Sequence, residues 1–194
     1  FEINHFYRQG IDTFTADRKF QKTQIRWTPR YANRPERDCY FMGIDSCVPM
    51  IEKETRHARI NYDTEEITIS TVNRILEKAS YILNKRYETL NIHNSGNKSF
   101  IGVVSEGVQY SAISMSAGEQ KIFAILEKLF NANSYSLLLI DELDLLLHDM
   151  AFKRLINVII EYANNKNIQV IFTTHRESVT EFEEEINIRH IVKK

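Results

Sequence analysis

The chain has 194 residues, of which 43% are hydrophobic and 26% are charged, and its formal net charge is −1. This length and apolar fraction suffice for one domain with a packed core, whereas the small net charge excludes a global attraction to nucleic acid or to an anionic membrane. The two cysteines, Cys39 and Cys47, fit neither a disulfide framework nor a metal-binding pattern and favour a cytoplasmic location. Since no apolar run approaches the roughly 18 residues that span a bilayer, we expect no membrane partner.

The first 90 residues alternate short strand patterns with irregular sequence and end in one helix. Residues 22–27 (KTQIRW) alternate as a strand does, residues 28–38 read as a loop with two of the three prolines, and residues 39–44 (CYFMGI) predict a buried strand. The connection then runs to about Asp63. Apolar residues at helical spacing predict a helix over 71–87, with Ser70 or Thr71 as its N-cap.

The remaining sequence predicts a small antiparallel ribbon followed by alternating helices and strands. Residues 89–93 and 100–104, joined by the turn-forming NSGNK, and residues 107–113 form the ribbon. A helix then runs from Gly118 to about Phe130. The elements after it are a strand over 136–140, a helix over 150–164, a strand over 168–172, a short helix after His175 and a strand over 186–192. This alternation predicts a single α/β domain with a mostly parallel sheet covered by helices on both faces.

Two neighbouring carboxylates follow the apolar run at 137–140, in the motif SLLLIDE. Because ligands of open α/β sheets bind at the carboxyl ends of the strands, Asp141 and Glu142 are placed for chemistry. One carboxylate can hold the hydrated shell of Mg²⁺, and the other can orient and deprotonate an attacking water. The alternative is that Asp141 simply begins a surface loop.

The motif QVIFTTH places His175 just beyond the next apolar strand. An imidazole there can hydrogen-bond a phosphate oxygen or the attacking water. The alternative is a helix cap or a surface histidine.

The motif SMSAGEQ (114–120) stands where a helix begins, and free backbone N–H groups at such a start favour an anion. Gly118 permits close backbone approach, and the Ser116 hydroxyl adds a donor. The alternative is helix capping by Ser114 or Ser116, with Glu119 in the first turn. Together the three motifs predict a phosphate-directed site at one edge of the sheet.

The three motifs resemble the signature, Walker B and switch-histidine motifs of ABC-type ATPase heads, a class of P-loop NTPases. The similarity is greatest to the non-transporter branch with the SMC, RecF-like and OLD-like proteins, which includes bacterial anti-phage and DNA-repair ATPases. An acidic residue at Glu119 is typical of that branch, and so is the run that follows Glu142. The resemblance covers residues 91–194 well and residues 1–90 loosely, so the chain is expected to be a single, partial head.

The resemblance implies ATP and Mg²⁺ as cofactors and a homodimer with composite ATP sites. Asp141 would support Mg²⁺, Glu142 would polarise the attacking water, and His175 would sense the γ-phosphate.

The resemblance also implies contacts between the two subunits of such a dimer. The residues that would bind nucleotide held by the partner subunit are those of the signature, Ser116, Ala117, Gly118 and Glu119. Asp144 and His148 fall where such heads communicate across the dimer, and they are included among the expected nucleotide-site residues.

The chain departs from the family in its phosphate-binding loop. A P-loop ends in Gly-Lys-Ser/Thr, and none of the six glycines is followed by lysine. We expect that an N-terminal segment with the Walker A motif precedes Phe1 in the native protein, and that the isolated chain is inactive. The alternative is a degenerate chain.

Three functions follow from these patterns. The first is an ATPase head in phage defence or DNA maintenance, with nucleic acid or an effector protein as further partners. The second is a non-catalytic partner that offers its signature to another ATPase. The third, a transporter subunit, is disfavoured by Glu119 and by the run after Glu142. The arginines at 26, 30, 34 and 37, interleaved with aromatic residues, suit a nucleic-acid surface, although solvated arginines are the alternative.

Overall fold

The computed structural model describes residues 2–9, 12–19, 21–23, 26–28, 37–53 and 62–191. The chain divides into two units, Phe1–Arg37 and Asp38–Lys194. In the first unit, β1 (Glu2–Gln9) pairs antiparallel with β2 (Asp12–Lys19), and β3 (Gln21–Thr23) pairs antiparallel with β4 (Arg26–Thr28). The single strand predicted over 22–27 is therefore divided between two paired strands. The predicted surface residues Arg30 and Arg34 lie outside the described residues.

The second unit alternates strands and helices. Its elements in chain order are β5 (Cys39–Met42), α1 (Met50–Lys53), β6 (Asp63–Glu66), α2 (Val72–Leu83), β7 (Tyr87–Ser95), β8 (Lys98–Ser105), β9 (Val108–Ser111), α3 (Ala117–Asn131), β10 (Leu137–Ile140), α4 (Asp149–Lys166) and β11 (Gln169–Phe172). Short 3-10 helices at Ile44–Cys47 and Glu177–Phe182 complete it.

A three-stranded parallel sheet supports the predicted site. Its strand order is β11-β10-β5, and Leu139 of the central strand lies beside Phe41 on one side and Ile171 on the other. The predicted α/β fold, with a parallel sheet flanked by helices and an antiparallel ribbon, is confirmed. However, Phe41 and Ile171 are 71% and 51% exposed. This part of one face is therefore open to solvent, although the alternation of elements predicted cover on both faces.

The antiparallel ribbon is larger than the sequence predicts. It has four strands in the order β6-β7-β8-β9, and the NSGNK turn joins β7 to β8. Gly96 at that turn has a φ of +58°, a conformation that glycine adopts without steric cost. The sequence DTEE gave no signal for β6 because all four of its residues are exposed and none is apolar.

The core of the second unit forms where α2, α3 and α4 pack on one another. Five of the apolar residues that predicted α2 are buried, Leu83 is partly buried, and each large buried one contributes roughly 1.5–3 kcal/mol. The helix ends before Asn84, whose left-handed φ of +52° stops it short of the predicted end at Tyr87. On α3 the predicted apolar face is buried at Ile122, Ile125, Leu126 and Leu129.

The last predicted strand is wrong over its described part, 186–191. The Ile186 N–H bonds back to the Phe182 carbonyl at 2.9 Å, so the chain turns there, and Ile186 and Ile188 pack on the core from irregular backbone. Among the described residues, no helix is long and apolar enough to cross a membrane.

Candidate functional site

Asp141 and Glu142 lie at the carboxyl end of β10, beside the end of β11, as the sequence predicts. The hydroxyl of Thr173 joins them: it donates to Asp141 Oδ1 at 2.7 Å and accepts the Glu142 backbone N–H at 2.8 Å. The Asp141 N–H bonds the Met42 carbonyl at 2.8 Å, which ties the same turn to β5. Three adjacent strands therefore fix the backbone of the carboxylate pair.

The backbone of Glu142 is strained. Its φ is +48°, a left-handed conformation that costs a non-glycine residue about 1–3 kcal/mol. Leu146 has a φ of +67°, and the two turns of the 142–147 loop are closed by Leu145 N–H to the Glu142 carbonyl and Leu147 N–H to the Asp144 carbonyl. Such strain persists only where surrounding contacts hold it.

His175 approaches Glu142 but is otherwise open. Its Nε2 lies 3.7 Å from Glu142 Oε1, and its side chain is 84% exposed. Its backbone N–H donates to Asp144 Oδ1 at 3.3 Å. Burial would raise the pKa of Asp144, but hydrogen bonds from Thr174 and the His175 backbone, with the charge of Arg176, lower it. Asp144 thus holds the segment that carries His175.

Ser116 begins α3 with a reciprocal capping arrangement. Its hydroxyl accepts the Glu119 N–H at 3.2 Å, and Glu119 Oε2 accepts the Ser116 N–H at 2.9 Å. The capping by Ser116, with Glu119 in the first turn, is therefore observed, and the anion-binding role of these residues stays a prediction. Because Ser116 accepts in this bond, its own hydroxyl hydrogen is not consumed by it. Helix geometry also leaves the N–H groups of Ala117 and Gly118 without intrahelical acceptors.

Gly118 lies directly against the 142–147 loop. A Cβ added there would stand 2.7 Å from the Leu146 carbonyl oxygen, closer than real Cβ contacts. The sequence suggested glycine for close approach to a phosphate. The structure adds a second reason, which is close approach of the chain's own backbone.

The Glu119 carboxylate is the centre of a partly buried polar group that we name the anchor cluster, formed by Lys85, Tyr87, Tyr110 and Glu119. Glu119 Oε1 accepts from the Tyr87 hydroxyl at 2.7 Å, the Tyr110 hydroxyl at 2.8 Å and Lys85 Nζ at 3.0 Å. Burial would raise the pKa of Glu119, but the bonds from Tyr87, the Ser116 N–H, Lys85 and Tyr110 outweigh it and lower the pKa to about 2. Burial and the bond to Glu119 also raise the pKa of Tyr87. The cluster ties the start of α3 to the antiparallel sheet.

His148 is the N-cap of α4. Its Nδ1 accepts the Ala151 N–H at 3.2 Å, and its side chain is exposed. The role expected for it across a dimer stays a prediction.

The donor set at the sheet edge fits Mg²⁺. Among the described residues, no three His, Cys, Asp or Glu side chains are grouped to hold a metal. Mg²⁺ is usually bound through one or two carboxylates together with waters and substrate phosphates, so a closed protein cage is not required. Asp141, with one oxygen accepting from Thr173, would supply that carboxylate.

Fold and site together define an α/β domain of the P-loop NTPase type, with an Asp-Glu pair and a histidine at the carboxyl ends of adjacent parallel strands. Residues 52–180, about two thirds of the chain, match the family model described as "AAA domain, putative AbiEii toxin, Type IV TA system". The chain belongs to this family of AAA domains, whose function is of the nucleotide-binding ATPase type and implies nucleotide and usually Mg²⁺. No curated protein matches the chain.

Sequence reasoning missed two residues that hold the site. Thr173 stood inside the QVIFTTH motif, and its place directly after a buried strand was the available signal. Lys121 follows the SMSAGEQ motif and lies on the apolar side of α3, where a lysine conflicts with the periodic pattern. It is 2% exposed, and its Nζ donates to the carbonyls of Glu142 and Leu145 at 2.6 and 3.0 Å.

Proposed function

We propose that the chain is the hydrolytic part of an ABC-type ATPase head that dimerises around nucleotide. The observation that carries the proposal is the Thr173 bridge, which brings Asp141 and Glu142 together beside His175 at one sheet edge. The three side chains come from two separate motifs, and the parallel pairing of β10 with β11 brings the motifs together.

Glu142 acts as general base towards the attacking water. Its side chain is 29% exposed, so a water can reach it, while its backbone is fixed at the N–H by Thr173. A positioned base contributes roughly 10²–10⁴-fold in rate. His175, 3.7 Å from the same carboxylate and largely exposed, contacts the γ-phosphate or the water once nucleotide is bound.

Asp141 holds Mg²⁺, which neutralises developing charge on the phosphates when bound. The Thr173 hydroxyl keeps the Asp141 carboxylate in one orientation by donating to Oδ1. The phosphates themselves need a glycine-rich loop that ends in Gly-Lys, and these 194 residues contain no such pair. In this proposal, polypeptide outside the 194 residues supplies that loop.

The start of α3 acts as the signature that faces the nucleotide of a second copy. The N–H groups of Ala117 and Gly118 and the Ser116 hydroxyl are the donors offered to the γ-phosphate, at the positive end of a 15-residue helix. Glu119 positions these donors through its bond to the Ser116 N–H, and its own contact with the nucleotide stays a prediction. Asp144 orders the His175 segment, and His148 stays a candidate for contacts across the dimer.

The biological setting that we propose is phage defence. The motif pattern resembles the SMC, RecF-like and OLD-like branch, and the matching family is described by a toxin and a type IV toxin–antitoxin system. DNA or an effector protein is the expected further partner.

The test replaces Glu142 by Gln in the native protein that contains this chain. ATP hydrolysis should fall by roughly 10²-fold or more, while nucleotide stays bound and dimers accumulate on size-exclusion chromatography. Glu184→Gln is the matched control, because Glu184 is exposed and lies outside the three motifs. Unchanged hydrolysis in the Glu142→Gln protein would remove Glu142 from the mechanism.

A second candidate is a non-catalytic partner that offers Ser116 and Gly118 to another ATPase. The observation that favours it is the absence of any Gly-Lys pair from the sequence. Under this reading the native protein does not hydrolyse ATP by itself but raises the hydrolysis rate of the ATPase it accompanies. Steady hydrolysis by the purified native protein alone excludes it.

A further inference from the structure

Lys121 is a buried cation within the apolar side of α3. It is 2% exposed, although lysine is almost never fully buried unless its charge is compensated. Its Nζ donates to two carbonyl oxygens of the 142–147 loop, Glu142 O at 2.6 Å and Leu145 O at 3.0 Å. Within the described part of the chain, no carboxylate lies within ion-pair distance of the ammonium, so the two carbonyl dipoles compensate its charge.

The two carbonyls belong to a turn that contains a left-handed residue other than glycine. Glu142 has a φ of +48°, and its carbonyl also accepts the Leu145 N–H at 3.0 Å. A left-handed residue that is not glycine needs surrounding contacts to hold it in place. The N–H side of Glu142 is held by Thr173, and the carbonyl side is held by Lys121. Both ends of the residue are therefore fixed, while its carboxylate remains free to act.

The same helix meets the loop at a third carbonyl. Gly118, three residues before Lys121, leaves no room for a Cβ against the Leu146 oxygen, which would lie 2.7 Å away. The first two turns of α3 thus contact Glu142, Leu145 and Leu146 through backbone oxygens. A shift of the helix start would be transmitted to the residue that carries the base.

We propose that Lys121 is a positioning residue that sets the Glu142 carboxylate through its backbone and links it to the start of α3. The proposal rests on the proposed function, in which Glu142 is the base and the start of α3 contacts the partner's nucleotide. Because Lys121 is 2% exposed and donates to backbone carbonyls, it acts through Glu142 and not by direct contact with the substrate. Through this link, hydrolysis in the site of one subunit depends on the position of α3, whose start contacts the nucleotide held by the other subunit.

A purely structural role predicts a different pattern of rates. If Lys121 only filled space in the core, an apolar residue of similar length would serve, and any loss would appear in stability alone. If it positions Glu142, its removal lowers kcat while nucleotide affinity is kept, because the phosphate contacts lie elsewhere. Its effect must also vanish when the Glu142 carboxylate is already gone.

The experiment compares Lys121→Met with Lys121→Arg in the native protein, with ATP as substrate. Mispositioning of a reacting group by about 1 Å can cost roughly 10²-fold, so we expect kcat to fall by about 10- to 100-fold in Lys121→Met. The Kd for ATP should stay within about twofold, and Lys121→Arg should recover most of kcat because it keeps a cationic donor. Lys128→Met is the matched control, since Lys128 is exposed on the same helix.

A double-mutant comparison separates the two proposals. Adding Lys121→Met to Glu142→Gln should cause no further loss, because residues that act as a unit are not additive. Additive losses, or wild-type kcat in a folded Lys121→Met protein, overturn the role of Lys121 alone. Full activity of Glu142→Gln instead overturns the proposed function. If Lys121→Met loses its cooperative unfolding transition, Lys121→Gln replaces it, and wild-type kcat in that folded variant overturns the proposal equally.

Discussion

Two glutamates, Glu119 in the first turn of α3 and Glu142 after β10, show how this domain treats the same side chain in opposite ways. Glu119, in the anchor cluster, is 12% exposed and accepts four hydrogen bonds from its own chain. Glu142 is 29% exposed, and its carboxylate oxygen Oε1 lies 3.7 Å from His175 Nε2. In Glu119 the side chain is held and orients a helix. In Glu142 the backbone is held, and the side chain is left open for chemistry.

The electrostatics follow the same division. With a pKa lowered to about 2, Glu119 holds its proton too weakly to serve as a base near neutral pH. Its carboxylate instead accepts hydrogen bonds from the hydroxyls of Tyr87 and Tyr110, which lie on the antiparallel sheet. It also accepts one from the ammonium of Lys85, which lies just before β7. The typical acidic residue of this motif is here a structural anchor, and we expect its replacement to act on stability first.

The largest expected effect is therefore that of Glu119→Gln on the free energy of unfolding. A pKa lowered from 4.5 to about 2 corresponds to about 3 kcal/mol of stability at neutral pH. Denaturant unfolding of the variant at pH 7 should show a loss of that order. Glu127→Gln, an exposed change of equal charge on the same helix, should stay within about 0.5 kcal/mol.

The stability that Glu119 contributes should depend on pH, in the direction set by its lowered pKa. Because the pKa is lower in the folded state, the stabilisation is complete above the unfolded value of 4.5 and is lost as pH falls towards about 2. The difference between wild type and Glu119→Gln should therefore shrink steadily between pH 5 and pH 3. A difference that stays constant over this range would mean that the Glu119 charge is not the source of the stability.

The sequence predicted the two glutamates unequally well. Asp141 and Glu142 were placed correctly because a continuous apolar run ending in carboxylates fixes both strand type and sheet edge. Glu119 was read with the nucleotide-binding residues, and the capping arrangement stood beside that reading as the alternative. Its partners Tyr87 and Tyr110 lie 32 and 9 positions away, so no local pattern joins them to it. Long-range polar contacts of this kind depend on strand register, which periodicity does not give.

Gly118→Ala tests the contact between the start of α3 and the 142–147 loop. Alanine is favoured over glycine within a helix by about 1 kcal/mol, so helix propensity alone predicts a more stable protein. The Cβ would meet the Leu146 oxygen at 2.7 Å, and overpacking of this kind costs about 1–3 kcal/mol. We expect the two terms to leave a net loss of up to about 2 kcal/mol in thermal or denaturant unfolding. A stabilised variant would show that the helix start and the 142–147 loop can move apart freely.

Thr173→Val tests the hydroxyl contact that fixes the backbone of Glu142. The variant keeps the shape of the side chain but removes the hydroxyl that joins Asp141 Oδ1 to the Glu142 N–H. We expect kcat of the native protein to fall by about 10-fold, which is about 1.4 kcal/mol in the activation barrier. Thr173→Ser keeps the hydroxyl and should retain most of the rate. Equal activity of the two variants would contradict the bridging role.

His175→Ala should have the smallest effect on stability and therefore sharpens the contrast most. The side chain is 84% exposed, and its Nε2 approaches Glu142 Oε1 only to 3.7 Å. We therefore expect the free energy of unfolding to change by no more than about 0.5 kcal/mol, as for other surface substitutions. Its backbone N–H, which Asp144 accepts, is kept by alanine. Hydrolysis by the native protein should nevertheless fall. A histidine whose loss changes rate but not stability behaves like Glu142, whereas one whose loss unfolds the protein would belong with Glu119.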